Sequence, residues 1–255
     1  MTQAQIDAHL CGSSPEEHEP RFVAQLMCAY VFARPLAKHK RVLEVGFGEG
    51  YGAHYLAEVA HEVVGIDTAP GNVPRSAEKY RRSNLTFVHM DATQMTFPDA
   101  SFDLVCSFQV IEHIPEPQLL PYLSEIHRVL HPDGRFCVST LNLANAMKPG
   151  KPYKKLQYHE KEFTAPELAA LLQQVFPIVE LQGLHLTWKH RLHQRLKKWG
   201  VDRFGPTRLN PVTRFYASAS PKDFTVSRDV SRSALDLYGV CRKTPAHGRS
   251  AQCPP

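Results

Sequence analysis

Apolar residues recur along this chain with two different periods. Between positions 21 and 38, Phe22, Val23, Leu26, Met27, Tyr30 and Val31 fall at helical spacing, and Pro35 is expected to close that helix. Short β-type runs follow at 41–45, 62–67, 85–90, 102–108 and 135–140. Between them, 51–60, 74–82 and 117–130 read as helices, the last stopped by the turn sequence His131-Pro132-Asp133-Gly134. Thr164 and Pro166 open a further helix, as its cap and a first-turn residue. Residues 178–186 read as a sixth strand and 234–240 as a seventh.

Strands alternating with helices at this spacing predict right-handed crossovers and a mostly parallel sheet. Ligands of such sheets bind beyond the carboxyl ends of the strands, near the switch in strand order. The pattern divides the chain into a polar, flexible lead-in (1–20), one α/β domain (21–243) and a disordered tail (244–255). Residues 187–222 interrupt the alternation as a basic insert or a cover over the ligand crevice.

Composition narrows the class. Apolar residues make up 43% and charged residues 22%, which excludes a disordered chain and a coiled coil. No apolar run reaches the roughly 18 residues of a membrane span. The first twenty residues carry no basic region followed by an apolar core, so no secretory signal is expected. Six scattered Cys without a C-x-x-C pair fit a reducing, cytoplasmic setting rather than a zinc site or a disulfide framework. Charge is uneven: residues 1–145 hold 11 Lys/Arg against 17 Asp/Glu, and residues 146–255 hold 19 against 8. The basic half suggests an anionic partner, although a solvated basic face has the same composition.

Four features carry candidate chemistry. Gly46, Gly48, Gly50 and Gly52 follow the first strand and precede a helix, where glycine lets the backbone turn sharply and approach a ligand. Asp67 ends the second strand 21 residues after Gly46, as an acid that reads a ribose diol would. Asp91 follows the third strand. The fourth strand leads into Gln109-Val110-Ile111-Glu112-His113 at the carboxyl end of the sheet. A dinucleotide-binding dehydrogenase accounts less well for these residues. Its G-x-G-x-x-G fingerprint differs from glycines at every second position, and it gives no reason for Asp91.

Taken in order, the four features resemble class I S-adenosylmethionine-dependent methyltransferases, of the small-molecule type related to quinone and sugar or polysaccharide-biosynthesis methyltransferases. The resemblance covers roughly residues 20–180 and extends faintly to the seventh strand. It implies a Rossmann-like α/β fold with a seven-stranded sheet of order 3-2-1-4-5-7-6, strand seven antiparallel, and helices on both faces. It also implies S-adenosylmethionine as cofactor. Glu44, Gly46, Gly48 and Gly50 would hold its methionine part, Asp67 its ribose and Asp91 its adenine, with Ala92, Phe108 and Gln109 completing the pocket. Phe47 stands where many members have Cys or Ala, which leaves the backbone role intact.

The acceptor is expected to be a small molecule or glycan, with a hydroxyl oxygen as the methyl-accepting atom. A hydroxyl must lose a proton, and His113 and His159 are the candidate bases near neutral pH. Some methyltransferases of small-RNA ends and of ubiquinone intermediates use E-x-x-E-H here for a divalent cation. Gln109 replaces the first acid, so no metal is expected, and Glu112, His113 and His159 form the alternative ligand set. A catalytically silent cofactor-binding subunit and an RNA methyltransferase are the rival functions. No RNA-binding module accompanies the basic half, so nucleic acid is not an expected partner. Finally, Trp188, Leu192, Leu196 and Trp199 share one helical face among five Lys/Arg. That pattern suits either peripheral contact with an anionic membrane or a cover packing its stripe on the core.

Overall fold

The structure, a computed structural model, describes residues 19–147, 150, 152–200 and 218–243. The expected tail, nearly all of the lead-in and positions 201–217 of the insert lie outside the described residues. In chain order the elements are α1 (Pro20–Ala37), β1 (Arg41–Val45), α2 (Tyr51–Ala57), β2 (Glu62–Asp67), α3 (Asn72–Lys79), β3 (Leu85–His89) and β4 (Phe102–Phe108). They continue with α4 (Leu119–Val129), β5 (Leu130–Leu141), α5 (Leu143–Ala146), α6 (Ala165–Gln173), β6 (Ile178–Leu186), α7 (Trp188–Lys198), β7 (Phe224–Ser227) and β8 (Asp236–Arg242).

The strands form one sheet in the order β3-β2-β1-β4-β5-β8-β6-β7. Strands β1 to β5 pair in parallel, whereas β8 runs antiparallel between β5 and β6. This is the expected order, with β8 as the expected seventh strand. One strand more than expected, β7, lies antiparallel on the edge of β6. Its four residues, Phe-Thr-Val-Ser, are too short to stand out from a loop in sequence.

Burial on both faces explains the continuous apolar runs. Leu43 of β1 and its neighbour Val64 of β2 face the layer of Tyr122, Leu123 and Ile126 from α4 and Leu168 and Leu172 from α6. Val42 and Val63 face the opposite layer, with Ala29, Tyr30 and Ala33 of α1 and Leu56 of α2. Cys28, Cys106, Cys137 and Cys241 are buried free thiols within these layers.

Three expectations are corrected. Pro35 does not close α1, which runs on to Ala37, because a proline in the last turn costs only the bond to the exposed Val31. His131–Gly134 does not end the helix in a free turn. It is a bulge inside β5, exposed at His131–Asp133 and buried at Gly134, where the pairing with β4 jumps from Phe102↔Leu130 to Leu104↔Arg135. The apolar stripe of α7 does not pack on the core, since Trp188 is 64% and Trp199 74% exposed. The capping at Thr164 is as expected, reinforced by Glu167, whose carboxylate accepts from Thr164 N at 2.8 Å and Thr164 Oγ1 at 2.6 Å.

Helix α1 meets α2 through a contact that admits no side chain. A Cβ on Gly52 would stand 2.0 Å from the Tyr30 ring, and Tyr30 is buried and hydrogen-bonded. Gly52→Ala should therefore destabilise the protein by about 1–3 kcal/mol through overpacking. Thermal denaturation should register a fall of several degrees in Tm. An unchanged Tm would show that α1 can move aside.

Candidate active site

The chain leaves β1 through a turn that glycine makes possible. Gly46, Gly48 and Gly50 have φ of +72°, +53° and +77°, in the left-handed region that side chains with a Cβ disfavour. The turn is tied to β2. Gly46 N donates to the Ile66 carbonyl at 2.8 Å, and Gly48 N donates to Asp67 Oδ2 at 2.9 Å. A Cβ at Gly46 would lie 2.5 Å from Val110 Cγ2, so the segment after β4 presses on the start of the turn. A Cβ at Gly48 would meet no heavy atom within 4 Å, so the turn is open on that side.

Acidic groups surround this opening. Glu44 is buried within β1, with Oε1 accepting from Tyr30 Oη at 2.6 Å and Oε2 lacking a hydrogen-bond partner. Burial pushes its carboxyl up to about 8, the Tyr30 hydroxyl opposing and the Asp67 charge adding to the shift. Asp67 Oδ1 accepts from Ala69 N at 2.8 Å, so both its oxygens take backbone donors. The strand after Asp67 is held close, because Met90 N donates to the Asp67 carbonyl at 3.0 Å. Asp91 itself is exposed and caps its own turn, Oδ1 accepting from Thr93 N and Thr93 Oγ1 at 2.8 Å each. Ala92 is buried behind it. Phe108 packs edge-on to Tyr30 with ring centroids 5.0 Å apart. Gln109 has φ +57° and is held by Ser139, N to the carbonyl at 2.9 Å and Nε2 to Oγ at 3.2 Å. Phe47 points away from the opening, into the core against Phe87.

This arrangement fits S-adenosylmethionine. An orphaned buried carboxylate oxygen suits an ammonium, an open glycine face admits a backbone-hugging chain, and Asp67 at a strand end suits a diol.

Beyond β4, a 3-10 turn of Ile111–His113 brings two histidines together. The loop carrying His159 is stitched to it: Glu160 N and Lys161 N both donate to the Glu112 carbonyl, at 2.7 and 3.2 Å. The His113 and His159 rings meet nearly perpendicular, with centroids 4.9 Å apart. His113 Nδ1 lies 2.8 Å from the Tyr158 carbonyl, which requires a proton on that nitrogen. His159 Nδ1 lies 2.7 Å from Glu162 Oε1, a buried carboxyl that desolvation holds above the usual range. Glu112 is buried, Oε2 has no hydrogen-bond partner, and burial pushes its carboxyl up to about 8. One ligand atom each from Glu112, His113 and His159 lies within 4.8 Å of the others.

The fold thus gathers Glu44, the glycine turn, Asp67, Phe108, Gln109 and the histidine pair at the carboxyl ends of β1, β2 and β4. Asp91 stands beside them after β3, its carboxylate turned to its own loop. Sequence reasoning missed Tyr30, Ser139 and Glu162. Tyr30 reads there as one more apolar position of α1, and a hydrogen bond from its hydroxyl leaves no periodic trace. Glu162 stood three residues after His159, a spacing that could have suggested a contact.

Comparison with known proteins agrees with this geometry. Residues 43–138 match the family model of a methyltransferase domain. The chain is 40% identical over 132 residues to a probable S-adenosylmethionine-dependent methyltransferase of Mycolicibacterium smegmatis, which covers 52% of this chain and 49% of that protein. It is 35% identical over 104 residues to a ubiquinone biosynthesis O-methyltransferase of Cereibacter sphaeroides, covering 40% of this chain and 41% of the relative. The chain therefore spans about half the length, or less, of these curated relatives. Among solved structures it superposes with TM-score 0.61 on an S-adenosylmethionine-dependent methyltransferase of Thermotoga maritima described as a possible histamine N-methyltransferase. That match has 15% identity and covers 95% of this chain and 100% of the other, which is a likeness of fold.

The buried acids make folding pH-dependent. Glu44 and Glu112 are raised from 4.5 to about 8, and Asp236, buried under an opposing Gln25 amide, from 3.8 to about 7. The folded protein keeps these protons over a range in which the unfolded chain has released them. Stability of the ligand-free protein should accordingly be greatest below the unfolded values and decline as pH rises to about 8. Denaturant titrations at pH 5 and pH 8 should show the decline, and Glu112→Gln should flatten it. Stability that instead rose across this range would mean that these carboxyls are ionised in the fold.

Proposed function

We propose that this chain, which carries a class I S-adenosylmethionine-dependent methyltransferase domain, transfers a methyl group to a hydroxyl oxygen of a small-molecule or glycan acceptor. One of the relatives is named as a ubiquinone biosynthesis O-methyltransferase, which supports oxygen as the accepting atom. Glu44 and the turn from Gly46 to Gly50 hold the methionine part in this reading, Asp67 the ribose and Asp91 the adenine, with Ala92, Phe108 and Gln109 lining the pocket.

S-adenosylmethionine, when bound, supplies a methyl group on a sulfonium whose leaving group is a neutral thioether. The histidine pair would hold and take the proton of the acceptor hydroxyl as its oxygen receives that methyl group. The chain's own task is chiefly alignment, which contributes up to roughly 7–11 kcal/mol in ideal cases. The observation that carries the reading is the histidine pair. Each ring has Nδ1 within hydrogen-bond distance of an oxygen, which fixes its orientation, and in this reading Nε2 would take the proton. Glu162 opposite His159 Nδ1 would steady the imidazolium once it forms.

A second reading rests on the same residues. Glu112, His113 and His159 have ligand atoms close enough for one divalent cation, which would polarise the acceptor oxygen instead of a base removing its proton.

Two measurements check these readings. Asp67→Ala should weaken S-adenosylhomocysteine binding by about tenfold or more in calorimetry, since charge-assisted hydrogen bonds are worth roughly 1.5–3 kcal/mol. Tight NAD binding by the wild type would sink the cofactor assignment. With an acceptor found by screening with labelled donor, His113→Ala or His159→Ala should lower turnover by roughly 100-fold with cofactor affinity nearly unchanged. Full activity in both variants excludes a histidine base. Loss of activity on chelation, restored by magnesium or manganese, selects the cation.

A further inference from the structure

Helix α7 presents to solvent the face that its sequence would lead one to bury. Trp188, Leu192 and Trp199 are 64%, 44% and 74% exposed, and at 100° per residue they project within about 40° of one another. The opposite face anchors the helix. His190 is fully buried, with its ring 5.9 Å from that of Phe224 in β7, and Thr187 N donates to the Asp223 carbonyl at 2.9 Å just before the helix begins. The stripe is therefore held outward by a fixed helix rather than left over from a loose one.

Charge tells what the stripe faces. Exposed Arg191 and Arg195 border it on one side and exposed Lys189 on the other, with Lys189 Nζ 5.9 Å from the Trp188 ring. The sequence Trp188–Lys198 contains no acidic residue. An apolar line between two basic borders matches the boundary of an anionic bilayer, with indoles at the headgroup level and guanidinium groups on the phosphates. A second copy would bring like charges together. A folded protein partner of ordinary mixed charge would leave several cations unanswered. The helix also leaves β6 at the carboxyl end of that strand, the end of the sheet that carries the glycine turn and the histidine pair.

We propose that α7 is an interfacial helix that docks the protein onto an anionic lipid surface through Trp188, Leu192 and Trp199. This stands apart from the methyl-transfer reading, because docking requires no turnover. The chain has two tryptophans, and both lie on this face, so indole emission reports the contact directly.

The test uses the full chain with vesicles of phosphatidylcholine alone, or with about one third phosphatidylglycerol. The protein should sediment with the anionic vesicles, with a blue shift in tryptophan emission, and not with the neutral ones. Raising salt to about 0.5 M should release it. Trp188→Ala/Trp199→Ala, and separately Arg191→Glu/Arg195→Glu, should each lower partitioning about tenfold or more. Both variants should keep wild-type affinity for S-adenosylhomocysteine, which shows that they fold and keeps this result separate from the methyltransferase assignment. Absence of sedimentation at low salt, sedimentation without a blue shift, or equal partitioning of the variants would overturn the proposal. So would a stripe-dependent dimer, or tight single-stranded RNA binding, in a protein that ignores the vesicles.

Discussion

Glu44 carries a carboxyl group into the central strand of a parallel sheet, where burial denies its charge any water. Much of the molecule is arranged around that one acid. Tyr30 must reach it, which fixes how α1 lies across β1 and β4. The ring of Tyr30 then occupies the space a side chain on residue 52 would need, so α2 must begin with a glycine in its first turn. Phe108 closes against the same ring and ends β4 beside the glycine turn. One oxygen of the acid is answered by the tyrosine and the other is left over. A buried acceptor without a donor costs stability, and natural proteins keep such groups where a ligand will answer them. The entering ammonium of an amino acid would do so, and would restore the ionised form that burial suppresses.

The same device recurs along the carboxyl edge of the sheet. Glu112 follows β4 and Asp236 opens β8, and burial raises both carboxyls as it raises Glu44. Asp236 is answered by Gln25 of α1, so that helix serves two of these acids. The opposite edge of the sheet shows no comparable set among the described residues. Its ion pairs, such as Arg41 with Glu62, are exposed and contribute little. One strained residue stands beside the buried acids: Gln109 has a left-handed φ just beyond β4 and is pinned there by Ser139.

What was legible in the sequence follows from which signals are local. The strand runs and the glycine turn were readable because their causes, burial on both faces and backbone freedom, act residue by residue. Strand order came through resemblance, because nothing local in Ala234–Val240 says that it inserts between two earlier strands. The bulge at His131–Gly134 was mistaken for a terminating turn because Pro and Gly mark both, and only the partner strand distinguishes them. The histidine pair was named residue by residue, but its meeting was not visible. It depends on the Glu112 carbonyl accepting from a loop some fifty residues away in the chain, a contact without periodicity. The stripe on α7 was visible as a stripe, and its direction was not, because the buried side of that helix is a histidine and reads as polar.

The uneven charge of the two halves acquires a spatial meaning from the strand order. The acid-rich first half supplies the glycine turn and Asp67 at the ends of β1 and β2, and a sulfonium with an ammonium is a cationic ligand that such a field attracts. The basic second half supplies α7 beyond β6. Between β4, where the histidines lie, and β6, where α7 begins, stand β5 and β8, which separates them by three strand spacings, about 14 Å. A cationic donor and an anionic surface need opposite fields, and side by side each would weaken the other. Inserting β8 between β5 and β6 keeps the two apart on one edge of one sheet, with the histidine pair on the path between them.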